Sequence, residues 1–353
     1  MTELKKNIRI NNRPIGPGCP AYIIAEISAN HHQCFDRAVE IVHLAHRAGA
    51  DAVKLQTYTA DTLTLDSDQP HFKIQQETIW DGARLYDLYQ KAHTPWEWHP
   101  ELKRVANQLG MDLFSSPFDA TAVDFLEGMK VPAYKIASFE IVDIPLLRKV
   151  AKTNRPVIVS TGMAAVEEIE LAVKTLRDNG CDQVALLKCT SAYPSPVEAM
   201  NLRTIPDLAF RFNIPVGLSD HTLENQTAVI AVSMGASIIE KHLTVSRDDE
   251  GPDSSFSLEP DEFEDMVNSI RKAEATIGSV HYGPTQTDKN NLAFRRSLFA
   301  IRDIKAGEAF TPDNVRSIRP GQGLEPKHMD AILEGTASEE IPRGTPLAWR
   351  HVA

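Results

Sequence analysis

IPVGLSD, residues 214–220, and SIIEKHLT, residues 237–244, are each a short apolar run that ends in residues able to do chemistry. Six earlier runs have the same form: AYIIAEI (21–27), AVKLQTY (52–58), MDLFSSP (111–117), AYKIAS (133–138), PVIVSTG (156–162) and VALLKCT (184–190). Each has the length of a strand, and continuous apolarity is what a parallel strand buried on both faces requires. The segments between them have room for a helix and two loops, so the pattern predicts a (β/α)8 barrel. In that fold the chain emerges at the catalytic mouth where each strand stops. Glu26, Lys54, Gln56, Ser115, Ser116, Lys135, Ser138, Ser160, Thr161, Ser219, His221, Lys241 and His242 are therefore expected to converge on one pocket.

A barrel of about 250 residues leaves part of this 353-residue chain, which is 42% hydrophobic, for a second small domain. The formal charge of −11 argues against a nucleic-acid or anionic-membrane partner, because either calls for a basic face. The N-terminal MTELKKNIRI lacks the apolar core of a secretory signal, and no run approaches about 18 apolar residues. A cytoplasmic protein is expected. Cys19, Cys34, Cys181 and Cys189 form no C-x-x-C pair and no disulfide framework. Cys189 ends the sixth run, where it either lines the pocket or fills the core as a small apolar residue.

Helical spacing fills the gaps. FDRAVEIVHLAHRA (35–48) places Phe35, Val39, Val42 and Ala45 on one face, and Gly49 follows as a stop. TPWEWHPELKRVANQLG predicts a helix capped by Thr94 with Pro95 at its first position, and AAVEEIELAVKTLRDNG one that ends at Gly180. Weaker patterns follow Ile144 and run from Glu224 to Met234, and Pro260 to Ile277 should close the barrel. The connection after the second run, Thr59 to about Thr94, is unusually long and rich in aromatics. It either shapes substrate choice on the catalytic face or adds a helix, Ala83 to Ala92, to the barrel edge. GSVHYGPTQTDKNN reads as a polar linker. The tail is punctuated by Gly and Pro, with strand-like SLFAIR and SIRP and turns KAGE and IPRGT, and reads as a compact β-rich module. The expected division is a barrel domain over 1–283, a linker over 284–293 and the module over 294–353.

His221 and His242 end neighbouring strands, so their imidazoles can share one divalent ion and leave its other positions to water and substrate oxygen. Lys54 and Lys135, beside Ser116, Ser138, Ser160 and Ser219, make a cradle for a phosphate and a carboxylate. Such a lysine could instead form a Schiff base, as in aldolases, or pair structurally with Glu26 or Glu140. Either glutamate suits a general base or a sugar hydroxyl, and spacing alone does not assign the roles.

The motifs AEISANH, AGADAVKLQTY, YKIAS-x-E, STGM, GLSDHT, EKHLT and GPDSSFSLEPDEF occur in this order, and together they resemble the N-acetylneuraminate synthase family. The tail, with R-P-G at Arg319 to Gly321, resembles that family's antifreeze-like (SAF) domain. The resemblance implies condensation of phosphoenolpyruvate with the open-chain aldehyde of an N-acetylated amino sugar, giving a nonulosonic acid and phosphate. It puts phosphoenolpyruvate on Lys54, Ser116, Lys135, Ser138, Ser160 and Ser219, a divalent metal (Mn, Co or Mg) on His221 and His242, and sugar contacts on Glu140, Tyr193 and Asp253. Glu26 handles the attacking water, and Arg319 is contributed across a domain-swapped homodimer. Ser191 stands where the sialic acid enzymes have Asn in C-T-N-x-Y-P, and ISANHHQ stands for IGINHEG. Both departures fit another sugar. QTYTADTLTLDS (56–67) and TIWDGARLYDLYQKAHTPWEWH (78–99) resemble the branch whose product is pseudaminic acid, made from 2,4-diacetamido-2,4,6-trideoxy-L-altrose; N-acetylneuraminate and legionaminic acid synthesis are the alternatives. A non-catalytic sugar- or ice-binding protein would not need paired metal ligands.

Overall fold

Short, largely apolar strands separated by helical segments need cover on both faces, and here the sheet meets that need by closing into a barrel. The computed structural model describes residues 7–75, 80–249 and 251–353, and it falls into two compact units, 1–278 and 279–353. The first unit opens with an antiparallel hairpin of β1 (Ile8–Ile10) and β2 (Arg13–Ile15). Eight parallel strands follow: β3 (Tyr22–Glu26), β4 (Ala52–Thr57), β5 (Asp112–Pro117), β6 (Tyr134–Ile136), β7 (Val157–Ser160), β8 (Val184–Cys189), β9 (Val216–Asp220) and β10 (Ile238–His242). They close in sequence order, with β10 returning to pair β3. All eight expected runs are strands.

Helices occupy the connections. The helix Phe35–Arg47 buries Ala38, Ile41, Val42 and Ala45, and it stops before Gly49, whose φ of +82° only glycine adopts freely. Asp119 caps Ala120–Gly128 by accepting from the amides of Thr121 and Ala122, and Asp143 caps Ile144–Ala151. Each such cap contributes about 1 kcal/mol. Val166–Asp178, Gln226–Ser233 and Pro260–Ile277 form where the spacing predicts them. One start differs. The α-helix after the long connection begins at His99 with Pro100 next, behind a 3₁₀ turn over Trp96–Trp98, and Thr94 is not its cap. Buried Thr94 is hydrogen-bonded to His31 instead, at 3.1 Å, so its hydroxyl is committed to the loop after β3.

Within the long connection a helix forms over Leu85–Ala92, close to the expected edge helix; Thr78 and Ile79 of the quoted block lie outside the described residues. At the opposite end of the barrel the hairpin helps line a depression of about 500 Å³ with Arg13, Tyr22, Asp51 and Asp112. Tyr22 donates to Asp112 there and Arg13 pairs with Asp51. In barrels that face carries stability rather than chemistry.

The second unit pairs β11 (Ser297–Ala300) with β12 (Val315–Ile318) antiparallel. Turns fall at KAGE and IPRGT, where Gly307 and Gly344 take φ near +80° and +88°. Leu298, Ile304, Phe310, Val315, Ile332 and Leu347 supply most of its small separate core. A short helix, Met329–Leu333, adds to it without a clear sequence signal.

Candidate active site

Register decides which side chains share the barrel interior, because paired residues on neighbouring strands point the same way. Glu26 is paired with Lys54 and His242 with Glu26, so those three meet inside. Glu240 is paired with Ser219, and Ser219 Oγ donates to Glu240 Oε1 at 3.1 Å. Lys54 forms an ion pair with Glu26 and donates to Ser116 Oγ at 3.3 Å. Lys135 donates to Ser160 Oγ at 2.6 Å. Gln56 donates to Ser28 Oγ at 3.0 Å and to Glu26 at 3.3 Å. Ser138 accepts from the Gly162 amide at 3.2 Å. Gly162 is required here: a Cβ on it would collide with the hydroxyls of Ser138 and Ser191.

Two of the residues expected in the pocket face the other way. Ser115 contacts Thr57 Oγ1 at 2.6 Å, and Thr57 in turn meets His99, so Ser115 looks toward the helical layer. Lys241 is paired in register with Asp220 and bonded to it at 2.7 Å, also outside the barrel. Thr161 spends its hydroxyl on the Leu187 carbonyl at 3.1 Å. In the place of Lys241 the interior holds Glu240, which the sequence reading missed. Period two counted back from His242 identifies it: 242 and 240 share one face and 241 takes the other.

The electrostatics separate the carboxylates. Glu240 Oε1 lies 3.6 Å from Lys135 Nζ and 3.9 Å from Lys54 Nζ, and against burial these two ammonium groups pull its pKa down. Glu26 is pushed up, by burial first and by Glu240 in addition, although Lys54 opposes. The two buried carboxylates are thus driven in opposite directions, Glu240 toward lower and Glu26 toward higher proton affinity. Burial works against the Lys54 charge, but Glu240 and Glu26 together outweigh it and raise its pKa. Lys135 is pushed down by burial. Glu140 is raised to about 7, again by burial, and its Oε2 has no hydrogen-bond partner. Asp253 accepts from Ser28 Oγ and, at 3.2 Å, from the Ala29 amide.

His221 and His242 stand with ring centroids 5.4 Å apart. His221 Nδ1–H donates to the Thr190 carbonyl at 3.0 Å, and against burial the neighbouring Cys189 and that carbonyl raise the pKa of the imidazole. His242 Nδ1 is buried without a partner, and burial pushes that imidazole toward the neutral form a metal requires. No group of three or more His, Cys, Asp or Glu among the described residues is arranged to hold an ion. A divalent ion at this place would have two protein imidazoles, His221 and His242, as ligands, with its other positions open. Cys189 lies between the two expectations for it. It is buried, yet His221 and Ser138 beside it outweigh burial and bring the thiol down to about 7. Tyr193 packs its ring 4.5 Å from His221 and 5.1 Å from Phe256. Ser191 sits near Cys189, 3.9 Å from its sulfur. Arg319 belongs to the second unit, where it is exposed and precedes a cis proline.

A parallel barrel with two interior lysines, serine hydroxyls and a pair of imidazoles at its mouth defines an enzyme for a small anionic substrate. Residues 41–282 match the NeuB family and residues 295–353 the SAF domain, and the chain belongs to the NeuB family. It is 44% identical to pseudaminic acid synthase of Helicobacter pylori over 93% of this chain and 97% of that one. It is 36% identical to N,N'-diacetyllegionaminic acid synthase of Legionella pneumophila, over 98% and 99%. Among solved structures, the spore coat polysaccharide biosynthesis protein of Bacillus subtilis is similar with a TM-score of 0.67 and 34% identity, over 98% and 99%.

Proposed function

We propose that this chain is a pseudaminic acid synthase, condensing phosphoenolpyruvate with 2,4-diacetamido-2,4,6-trideoxy-L-altrose to give pseudaminic acid and inorganic phosphate. The observation that carries the reading is the interior pair Lys54 and Lys135 among serine donors, beside two imidazoles, in a chain more similar to that synthase than to the legionaminic acid enzyme. No helix among the described residues is long and apolar enough to cross a membrane, and the reading assigns the reaction to the cytoplasm.

Lys54 and Lys135 hold the phosphate and carboxylate of phosphoenolpyruvate, with Ser116, Ser138, Ser160 and Ser219 donating hydrogen bonds. Gln56, Glu140, Ser191, Tyr193 and Asp253 orient the sugar. A divalent metal, Mn, Co or Mg, held by His221 and His242, supplies a Lewis acid toward the aldehyde oxygen when bound. C3 of phosphoenolpyruvate forms the new bond to the aldehyde carbon as the carbonyl π pair moves to its oxygen, which takes a proton from solvent to become a hydroxyl, and the positive charge that develops at C2 is captured by water. Glu26, whose burial raises its proton affinity, takes the proton from that water. The C2–O bond to the phosphoryl group then breaks as the C2 hydroxyl gives up its proton to the departing phosphate and becomes the ketone, and the lysines stabilise the phosphate as it leaves.

Around the barrel mouth Leu65, Phe139, Val142, Met163, Val197 and Leu223, in loops that follow β4 and β6 to β9, are 42–63% exposed. Such an apolar rim supports a cover supplied by a second copy, whose Arg319 reaches the sugar. Phosphate release with a divalent metal, comparing the altrose sugar, its mannose-type counterpart and N-acetylmannosamine, tests the reaction; turnover only with a mannose-type sugar refutes the choice of substrate. Mixing Arg319→Ala with Lys54→Ala should restore activity by pairing one intact barrel with one intact arginine. Failure of the mixture to recover any activity, with subunit exchange verified, refutes a swapped dimer.

A further inference from the structure

The long connection between β4 and β5 sends Trp80 to the aromatic cluster at the barrel mouth. Its ring lies 5.7 Å from Tyr193 at 57° and 6.4 Å from Phe256 edge to face. Tyr193 and Phe256 touch each other and reach the imidazoles, Tyr193 at 4.5 Å from His221 and Phe256 at 5.0 Å from His242. The rings therefore run in order from the paired histidines outward, and Trp80 is the far member. Its one donor is spent, because Nε1–H donates to the Pro252 carbonyl at 3.1 Å. An indole in that state offers an apolar face and no hydrogen bond.

We propose that Trp80 is a specificity-determining residue whose indole packs on the deoxygenated C6 end of the amino sugar. The inference rests on the functional reading above. A sugar with its aldehyde at the histidines extends past Tyr193 and Phe256, which brings its opposite end to Trp80. A methyl group at C6 gains from that face. A hydroxyl in the same place loses water and finds no partner from the indole, which is the physical basis for preferring a 6-deoxy sugar. An apolar wall of this kind discriminates by roughly 10- to 200-fold, the range for one methyl or one added hydroxyl in a hydrophobic pocket.

The test is phosphate release from phosphoenolpyruvate by wild type, Trp80→Ala and Trp80→Phe. Each is assayed with 2,4-diacetamido-2,4,6-trideoxy-L-altrose and with the sugar that differs only by a hydroxyl at C6. Wild type should prefer the 6-deoxy sugar in kcat/KM by about 100-fold. Trp80→Ala should lose about ten-fold or more of that preference with the KM for phosphoenolpyruvate unchanged, and Trp80→Phe, a ring without the N–H, should keep most of it. An unchanged preference in Trp80→Ala overturns the proposal. So does a parallel loss for both sugars in both variants, which would make the bond to Pro252 the whole contribution. Wild type that turns over N-acetylmannosamine and refuses the altrose sugar would overturn the functional reading itself, and that result needs no variant.

Discussion

Glu240→Gln removes the charge that two buried ammonium groups share. Lys135 and Lys54 lie 3.6 and 3.9 Å from the same Glu240 oxygen, and at an effective dielectric of about 20 each attraction amounts to about 4–5 kcal/mol. Desolvation consumes much of this, and breaking such a pair costs about 3–5 kcal/mol because a buried charge is left behind. Lys54 keeps Glu26 as a partner, whereas Lys135 has no other ion pair among the described residues, so the loss falls on Lys135. Urea unfolding at pH 7 without ligand should show a loss of about 3 kcal/mol. The sign of its pH dependence follows from a lysine pKa that is depressed in the folded state. Folded protein then binds fewer protons than unfolded at Lys135, so the penalty is full between the depressed values of Glu240 and Lys135 and shrinks as pH rises toward about 10.4. Phosphoenolpyruvate at 100 times its Kd stabilises by about 2.7 kcal/mol, and through the anion it brings to Lys135 it should restore more of the stability of the variant than it adds to wild type at the same ligand concentration. Stability unchanged within about 0.5 kcal/mol, or equal stabilisation of both proteins by the ligand, would refute the assignment of Glu240 as the resident counter-ion.

Lys241→Met should cost a similar 3–5 kcal/mol, because it orphans buried Asp220, yet leave the KM for phosphoenolpyruvate unchanged; a rise in that KM would return Lys241 to the pocket. Glu140 titrates near 7, so the sugar KM should fall as pH rises through 7 and the carboxylate forms, and Glu140→Gln should flatten that profile in steady-state assays. Chelation should abolish phosphate release, and readdition of Mn, Co or Mg should restore it; His221→Ala and His242→Ala should each retain less metal after dialysis, read by elemental analysis, and full turnover in metal-free protein would remove the Lewis acid from the mechanism.

The strands were legible because an unbroken apolar run of strand length, repeated eight times, suits little besides parallel strands buried on both faces, and the sites because strand ends in a barrel share one mouth. What the run-by-run reading lost was the face of each residue. Treating EKH as a cluster admitted Lys241 and omitted Glu240, and treating SS as a pair admitted Ser115 with Ser116, although the pleat sends alternate residues to opposite sides. The start at His99 was hidden by Thr94 and Pro95, a sound local cap signal that a tertiary bond to His31 overrode. Trp80 was visible only as one aromatic in a loop rich in them. Its position depends on Pro252, 172 residues away in sequence, and no local pattern reports such a partner.

The fastenings of the β4–β5 connection to the rest of the barrel include Gln33 to the Lys91 carbonyl, Thr94 to His31 and Trp80 to the Pro252 carbonyl. None of these involves Lys54, Lys135, the interior carboxylates, His221 or His242. Inheritance can therefore act on the two parts at different rates. If Trp80 has the proposed role, exchange of this one connection changes which sugar is accepted while the bond-making apparatus passes on intact, and related nonulosonic acids then arise from a single chemistry by replacement of one segment.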